Sequence, residues 1–186
     1  NKVDKPEIVS SFAANKIVFA DFSQKRLDTN VATEMPLNIV YGGMPYAVMM
    51  ITPADIEDFV YGFSLTEGII KIADDIREVS ISDTADGANV DIVLSSRQFQ
   101  AHLAKRRTLS GRTSCGLCGL ESSADLPVAA RLEIDSSPVS YQAIRDALSD
   151  LDRHQVLNEI THSVHAAVWC DQSGRIIAVR EDVAVS

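Results

Sequence analysis

Two cysteines three positions apart have the clearest capacity for chemistry in this chain. Cys115 and Cys118 form a Cys-x-x-Cys motif in which Gly116 lies between the thiols and Gly119 follows them. Such a motif can be half of a zinc site, a redox-active dithiol or a nucleophilic sulfur carrier. Glycine allows a tight backbone turn and lets a large substrate approach the sulfur closely. The spacing alone leaves these three chemistries open, together with a purely structural role for both thiols.

Positive charge collects just before the cysteine pair. Lys105, Arg106, Arg107 and Arg112 place four cations within eight positions of a chain whose formal net charge is −9. Cations beside a thiol raise its thiolate fraction, and the thiolate is the nucleophile. The same cations attract an anionic, phosphate-bearing ligand. The competing interpretation is that this basic run is only the solvated end of a helix.

Zinc binding and disulfide exchange fit the surrounding sequence less well. A structural zinc ion needs four ligands, and His162 and His165 are the other candidates, far along the chain from Cys118. On a strand, their odd separation would point them to opposite faces. A thioredoxin-like dithiol places its first thiol at the start of a helix, whereas glycine and serine follow this pair. We therefore predict no metal site. Cys170 ends an apolar run and is predicted to be a core or strand residue.

Composition excludes several classes of protein. Hydrophobic residues make up 46% and charged residues 23% of the 186 residues, which are ordinary globular values. The acidic balance argues against a fold-wide nucleic-acid surface. No apolar run is long enough to cross a bilayer, and residues 1–11 lack the basic head and apolar stretch of a secretory signal. Three cysteines cannot form a disulfide framework, so we predict a reducing compartment, the cytoplasm.

The elements that must position these residues are read from periodicity and turn signals. Strands are predicted at 17–22, 37–41, 47–51, 79–82, 90–94, 128–134, 165–170 and 175–179. A helix capped by Thr52 and ending near Gly68 presents an apolar face of Ile56, Phe59, Val60 and Phe63. Two further helices are predicted, one over 97–107 and one capped by Ser140 with a face of Ile144, Ala147, Leu148 and Leu151. The mixed order predicts an α/β or α+β class, and residues 109–125 read as a loop.

Several colinear segments resemble one known family. The sequence GRTSCGLCG at 111–119 is similar to the cysteine loop of the formate dehydrogenase accessory proteins, the FdhD sulfurtransferases. Segments 62–70, 165–169 and 181–183 resemble other family motifs in the same order, so that the likeness covers about residues 36–183. Two positions depart slightly, since Ser114 and His162 stand where family members usually have glycine. After Val183 the family pattern Gly-Arg-His-Asn is replaced by AVS, so the chain is expected to be C-terminally incomplete.

The resemblance implies a fold and a domain plan. The expected fold is α/β, a cytidine deaminase-like mixed-sheet sandwich with an N-terminal strand–helix portion. Residues 1–186 would form a single, incomplete domain. Within it, an N-terminal lobe would span 1–108, the cysteine loop 109–125 and a deaminase-like portion 126–186.

The resemblance also implies an activity. Family members take sulfur from a cysteine desulfurase as a persulfide. They pass it to the molybdenum (or tungsten) cofactor that carries two pterin guanine dinucleotides, which then enters formate dehydrogenase. Cys115 matches the persulfide carrier and Cys118 its partner, and a homodimer is expected. Non-covalent cofactor chaperoning and zinc-dependent, deaminase-like hydrolysis remain the alternatives.

Four more residues are predicted to bind the cofactor. Arg112 follows from the basic run, and His165, Glu181 and Asp182 follow from the family motifs. A hydrogen-bonded core histidine is the competing interpretation of His165. A solvated turn is the competing interpretation of Glu181 and Asp182.

Overall fold

A computed structural model describes residues 7–108 and 138–183 of the chain. The predicted loop 109–125, with Cys115, Cys118 and Arg112, lies outside the described residues, as does the predicted strand 128–134. The expected division into lobes stays a prediction.

The described residues form mixed α and β structure. The strands are β1 (Val9–Val18), β2 (Ser23–Ala32), β3 (Met35–Tyr41), β4 (Met44–Ile51), β5 (Ile76–Asp83), β6 (Ala88–Leu94), β7 (His165–Cys170) and β8 (Ile176–Asp182). The α-helices are α1 (Ile56–Thr66), α2 (Ser96–Thr108), α3 (Tyr141–Asp150) and α4 (Val156–Thr161). Short 3₁₀ turns cover Ala73–Asp75 and Leu151–His154. Among the described helices, none is long and apolar enough to span a membrane.

A four-stranded sheet in the order β4-β3-β6-β5 holds the core. Strands β3 and β6 pair in parallel, and the two outer pairs are antiparallel. Every second residue of β3 and β6 is buried, as the alternation of apolar side chains predicts. The predicted face of α1 packs on this sheet, with Val60 fully buried and Ile56, Phe59 and Phe63 partly buried. The predicted strands of this sheet and the predicted apolar face of α1 are confirmed.

The start of α1 differs from the prediction. The helix begins at Ile56, and its N-cap is Asp55, which has a left-handed φ of 48°. Thr52 does not cap the helix, because its hydroxyl accepts a hydrogen bond from the Val183 backbone N–H at 3.1 Å. At the other end, Gly68 has a φ of 62° and stops the helix as predicted.

The first two strands form a hairpin that periodicity did not reveal. The predicted strand 17–22 is wrong, because β1 ends at Val18 and the chain turns over residues 19–22. The Asp21 carboxylate accepts a hydrogen bond from the Ser23 N–H at 3.0 Å, and this contact also lowers the pKa of Asp21. An aspartate that bonds the backbone two residues on favours a turn. Phe22 completes the turn with a φ of 54°.

The remaining elements form a second structural region. The Ser140 hydroxyl caps α3 by accepting a hydrogen bond from the Ala143 N–H at 3.0 Å, as predicted. Strands β7 and β8 match the predicted strands 165–170 and 175–179 and pair antiparallel as a hairpin, although β8 continues to Asp182. Helix α4 was not predicted. The α/β class is thereby confirmed, while the cytidine deaminase-like arrangement stays a prediction.

Candidate functional site

A pocket of about 240 Å³ lies between the start of α1 and the β7–β8 hairpin. It brings together three of the residues that the sequence predicted for cofactor binding, namely His165, Glu181 and Asp182. The other lining residues are Ala54, Asp55, Asp58, Phe59, Ala166, Ala167 and Arg180. The pocket walls therefore come from segments more than a hundred residues apart in the sequence.

The register of the β7–β8 hairpin decides which side chains share a face. His165 pairs with Asp182, and Ala167 pairs with Arg180, so these four residues lie on one face of the hairpin. The intervening pair, Ala166 and Glu181, points to the other face. On the face of His165 and Asp182, the small side chain of Ala167 opposite Arg180 leaves room for the pocket.

His165 is exposed at the start of β7. Its interpretation as a buried core histidine is therefore wrong. An exposed imidazole at the rim of a pocket can donate or accept a hydrogen bond to a ligand.

Glu181 links α4 to the β7–β8 hairpin through hydrogen bonds. Its carboxylate accepts hydrogen bonds from the N–H groups of Leu157 at 2.9 Å and Asn158 at 2.8 Å. These amides belong to the first turn of α4, where backbone N–H groups have no partner within the helix. Glu181 thus acts as a helix cap from a distant strand. Both of its oxygens are engaged in this contact, and its interpretation as a solvated turn residue is wrong.

Asp182 links the end of β8 to the segment before α1 through a hydrogen bond. Its Oδ1 accepts a hydrogen bond from the Thr52 N–H at 3.1 Å, while the Thr52 hydroxyl accepts one from the Val183 N–H. Thr52 is fully buried. The two bonds form a reciprocal pair that joins the end of β8 to the segment before α1, so Asp182 is not a solvated turn residue.

Arg180 lines the pocket and joins β8 to the start of α1. Its guanidinium donates a hydrogen bond to Asp58, and its Nε lies 3.5 Å from an Asp55 oxygen. The hydrogen bond to Asp58, followed by the charges of Asp55 and Asp58, raises the pKa of Arg180. Sequence reasoning missed this cluster. The only hint of this cluster in the sequence is that Arg180 immediately precedes the Glu181-Asp182 motif.

The charge of the pocket favours a ligand with hydrogen-bond donors. Four carboxylates and one guanidinium line it, together with a single imidazole. Carboxylate oxygens accept hydrogen bonds and repel phosphate groups. The net negative charge of the lining therefore disfavours a phosphate group in this pocket.

Helix α2 follows β6 of the central sheet, and its first turns are firmly anchored. The Gln98 side chain donates a hydrogen bond to the Ile69 carbonyl. His102 is buried, and its ring lies 5.3 Å from that of Tyr41 and 5.6 Å from that of Tyr46. These contacts hold the first turns of α2 against the central sheet.

Tyr41 is part of the same anchored region. Its hydroxyl lies 2.7 Å from the Ser64 hydroxyl, which donates to the Val60 carbonyl at 2.6 Å. Burial raises the pKa of Tyr41 to about 12. The phenol therefore stays neutral over the physiological range and serves the fold.

Cys170 lies half-buried at the end of β7, as predicted for a strand residue. Within residues 7–108 and 138–183, no three His, Cys, Asp or Glu side chains come close enough to hold a metal ion.

Comparison with known proteins identifies the family. The model of the FdhD/NarQ family matches residues 32–184, a stretch that includes the cysteine motif. The chain belongs to the FdhD/NarQ family. The sulfur carrier protein FdhD of Xanthomonas euvesicatoria pv. vesicatoria (strain 85-10) is 43% identical over 154 residues, which cover 82% of this chain and 54% of that protein. The corresponding protein of Bordetella petrii is 39% identical over 153 residues, which cover 82% of this chain and 55% of that protein.

The chain spans about half the length of the curated relatives it matches. Among solved structures, it is similar to a protein from Desulfotalea psychrophila described as a formate dehydrogenase accessory protein. The TM-score is 0.61 at 20% identity, and the match covers 96% of this chain and 63% of the other. This likeness supports the fold.

Proposed function

We propose that this FdhD/NarQ family member is a sulfurtransferase that carries sulfur for formate dehydrogenase maturation. Cys115 accepts sulfur from a cysteine desulfurase as a persulfide. The sulfur then passes to the molybdenum (or tungsten) cofactor with two pterin guanine dinucleotides. The observation that carries this proposal is the family match, which runs through the Cys115–Cys118 motif and extends to the pocket residues of β7 and β8.

The chemistry at Cys115 is a thiol–disulfide exchange. The Cys115 thiolate attacks the outer sulfur of the donor persulfide, so that the donor S–S bond breaks as a new S–S bond forms. The donor cysteine leaves as its thiolate, and the number of S–S bonds does not change. This step therefore needs no oxidant. The four cations at positions 105–107 and 112 favour the attacking thiolate.

Cys118 provides a route for release. Its thiolate attacks Sγ of the Cys115 persulfide, which frees the outer sulfur as sulfide and leaves a Cys115–Cys118 disulfide. The two thiols thereby supply the two electrons that convert the transferred sulfur to sulfide. A small cellular thiol then reduces the disulfide for the next cycle.

The pocket beside β7 and β8 is the proposed site for part of the cofactor. A guanine ring presents adjacent N–H donors on one edge, and the carboxylate-rich lining suits such donors. His165 is the predicted residue best placed to contact the ligand directly, because it is exposed at the rim. Glu181 and Asp182 contribute by holding the walls in place. Arg112 and the cations before it are proposed to meet the phosphates.

The proposed partners follow from this role. They are a cysteine desulfurase as donor and apo formate dehydrogenase as the destination of the cofactor, and the protein acts as a homodimer. We propose a cytoplasmic location, where thiols stay reduced.

Persulfide trapping tests the proposal. The chain is incubated with a cysteine desulfurase and free cysteine, and bound sulfur is measured by mass spectrometry with and without a thiol reductant. The wild-type chain and the Cys170→Ala control should gain one reductant-labile sulfur, while Cys115→Ala should gain none. An undiminished persulfide in Cys115→Ala would overturn the assignment. A wild-type chain that binds cofactor but never gains sulfur would indicate a chaperone, and stoichiometric zinc at the cysteines would indicate a hydrolase.

A further inference from the structure

The guanidinium of Arg180 is engaged by groups of the protein itself. Its Nε and Nη2 both contact the Oδ2 atom of Asp58, and its Nη1 donates a hydrogen bond to the Val179 carbonyl at 2.7 Å. Its Nε also lies 3.5 Å from an oxygen of Asp55. Each of its three nitrogens therefore has a protein partner. A rigid guanidinium fork with these contacts fixes the position of the carboxylate that it holds.

Asp58 keeps one oxygen available for a ligand. Arg180 contacts only its Oδ2, and among the described residues no hydrogen bond involves its Oδ1. The Asp58 side chain lines the pocket and is 53% exposed. Glu181 and Asp182 differ, because they accept hydrogen bonds from backbone N–H groups. An ionised carboxylate has only acceptor sites, so the available oxygen of Asp58 favours a ligand that presents hydrogen-bond donors.

Guanine meets this requirement better than adenine does. The ring N–H and the exocyclic amino group of guanine lie side by side, so both donors can reach one carboxylate oxygen, which has two lone-pair sites. At the corresponding edge, adenine has a ring nitrogen that is an acceptor and repels a carboxylate. A neutral base also avoids repulsion by the negative lining. The pocket of about 240 Å³ exceeds the cavity of about 150 Å³ that binds benzene, so a bicyclic base has room.

We propose that Asp58 selects guanine over adenine in this pocket and that Arg180 is the positioning residue that holds Asp58. Because Arg180 occupies Oδ2, the Oδ1 atom accepts the two adjacent donors of guanine. This inference rests on the guanine site of the proposed function and deepens it by naming the residue that distinguishes the base.

The carboxamide variant Asp58→Asn changes this arrangement in a defined way. A carboxamide has an acceptor oxygen at one end and an amino donor at the other. The Arg180 guanidinium only donates, so it holds the amide oxygen and leaves the amino group in the place of Oδ1. That amino group repels the donors of guanine and donates a hydrogen bond to the ring nitrogen of adenine. The variant should therefore reverse the base preference, an outcome that misfolding cannot produce.

Equilibrium dialysis of the 186-residue chain against GDP and, separately, against ADP measures this preference. The wild-type chain should bind GDP at least about tenfold more tightly than ADP, since a site built for hydrogen-bond donors rejects an analogue that lacks them. In Asp58→Asn the order should reverse, with ADP bound more tightly than by the wild-type chain. Glu57→Gln is the matched control, because it removes the same charge from the same turn of α1 outside the pocket lining, and it should leave the ratio of affinities unchanged.

The double variant Asp58→Asn/Arg180→Gln tests the positioning role. Without the guanidinium, either end of the amide can face the base, so GDP and ADP should bind about equally tightly. A double variant that keeps the ADP preference of Asp58→Asn would overturn the role of Arg180.

Three results would overturn the assignment of Asp58. They are an order of affinities that Asp58→Asn leaves unchanged, a wild-type chain that binds GDP no better than ADP, and a reversal caused by Asp55→Asn instead. Persulfide formation on Cys115 does not involve the pocket. A negative result in dialysis with an intact persulfide would therefore leave the sulfur-carrier role standing.

Discussion

Replacing Glu181 separates its contribution to the fold from a role in ligand binding. The carboxylate accepts two backbone hydrogen bonds at the first turn of α4, and the side chain is half-buried. Hydrogen bonds to charged groups contribute about 1.5–3 kcal/mol each, and water replaces part of that in a half-buried position. We therefore expect Glu181→Ala to lower the free energy of unfolding by about 2–3 kcal/mol. Glu181→Gln keeps one acceptor without the charge and should cost about half as much.

Urea denaturation followed by far-ultraviolet circular dichroism measures this effect. With a typical urea slope, a loss of that size shifts the midpoint by roughly 1 M. Glu159→Ala is the control, because Glu159 is an exposed carboxylate on α4 itself, and it should change the midpoint little.

The refuting result is clear. If Glu181→Ala and Glu159→Ala unfold at the same urea concentration, the hydrogen bonds to Leu157 and Asn158 do not support α4. If Glu181→Ala also loses cofactor binding at unchanged stability, Glu181 contacts the ligand directly.

Two further predictions concern the fold. Gly174→Ala should destabilise the chain by about 3 kcal/mol or more, since the new Cβ would lie 2.1 Å from the Ala143 carbonyl oxygen at a φ of 87°. Gly43→Ala, at a φ of 77° with open space around it, should cost only about 1 kcal/mol, and equal midpoints in thermal unfolding would contradict the packing argument. The raised pKa of Tyr41 means that the folded chain prefers the neutral phenol, so stability should be full below pH 10 and fall as the pH rises toward about 12. Tyr41→Phe should show a shallower alkaline loss in urea titrations, by an amount on the order of 3 kcal/mol, and an unchanged slope would refute the burial of this phenol.

Short sequence patterns predicted the strands and helices whose burial and capping depend on residues close together in the sequence. The alternation in β3 and β6, the apolar face of α1 and the Ser140 cap are all visible within a short window of sequence. The β1–β2 hairpin escaped detection because neither of its faces is buried, so its sequence has no alternation to show. Helix α4 has six residues, and its cap comes from Glu181, more than twenty positions later. Because this capping residue is distant in the sequence, the residues around α4 contain no capping signal from which the helix could be predicted.

The residues of the candidate site that lie in family motifs could be predicted from the sequence, and the others could not. The family resemblance placed His165, Glu181 and Asp182 in one pocket, and the structure brings them together. It did not show that both carboxylates are engaged in holding other elements. Asp55, Asp58 and Arg180 were missed because their contact joins positions more than a hundred residues apart. The Cys115 and Cys118 assignment rests on the motif and the family match, and it stays a prediction.

Two adjacent carboxylates at the end of β8 link this strand to two other parts of the fold. Glu181 bonds the first turn of α4, and Asp182 bonds Thr52, which directly follows the edge strand β4 of the central sheet. The pocket lies between the β7–β8 hairpin and the start of α1, and it exists only once these two regions have docked, because each supplies one wall. A molecule that fills the pocket binds only the docked arrangement. Its binding free energy therefore stabilises the contact between the hairpin and the start of α1. A ligand in this pocket would thus hold the hairpin and the start of α1 more rigidly together, and the empty pocket would belong to the looser form.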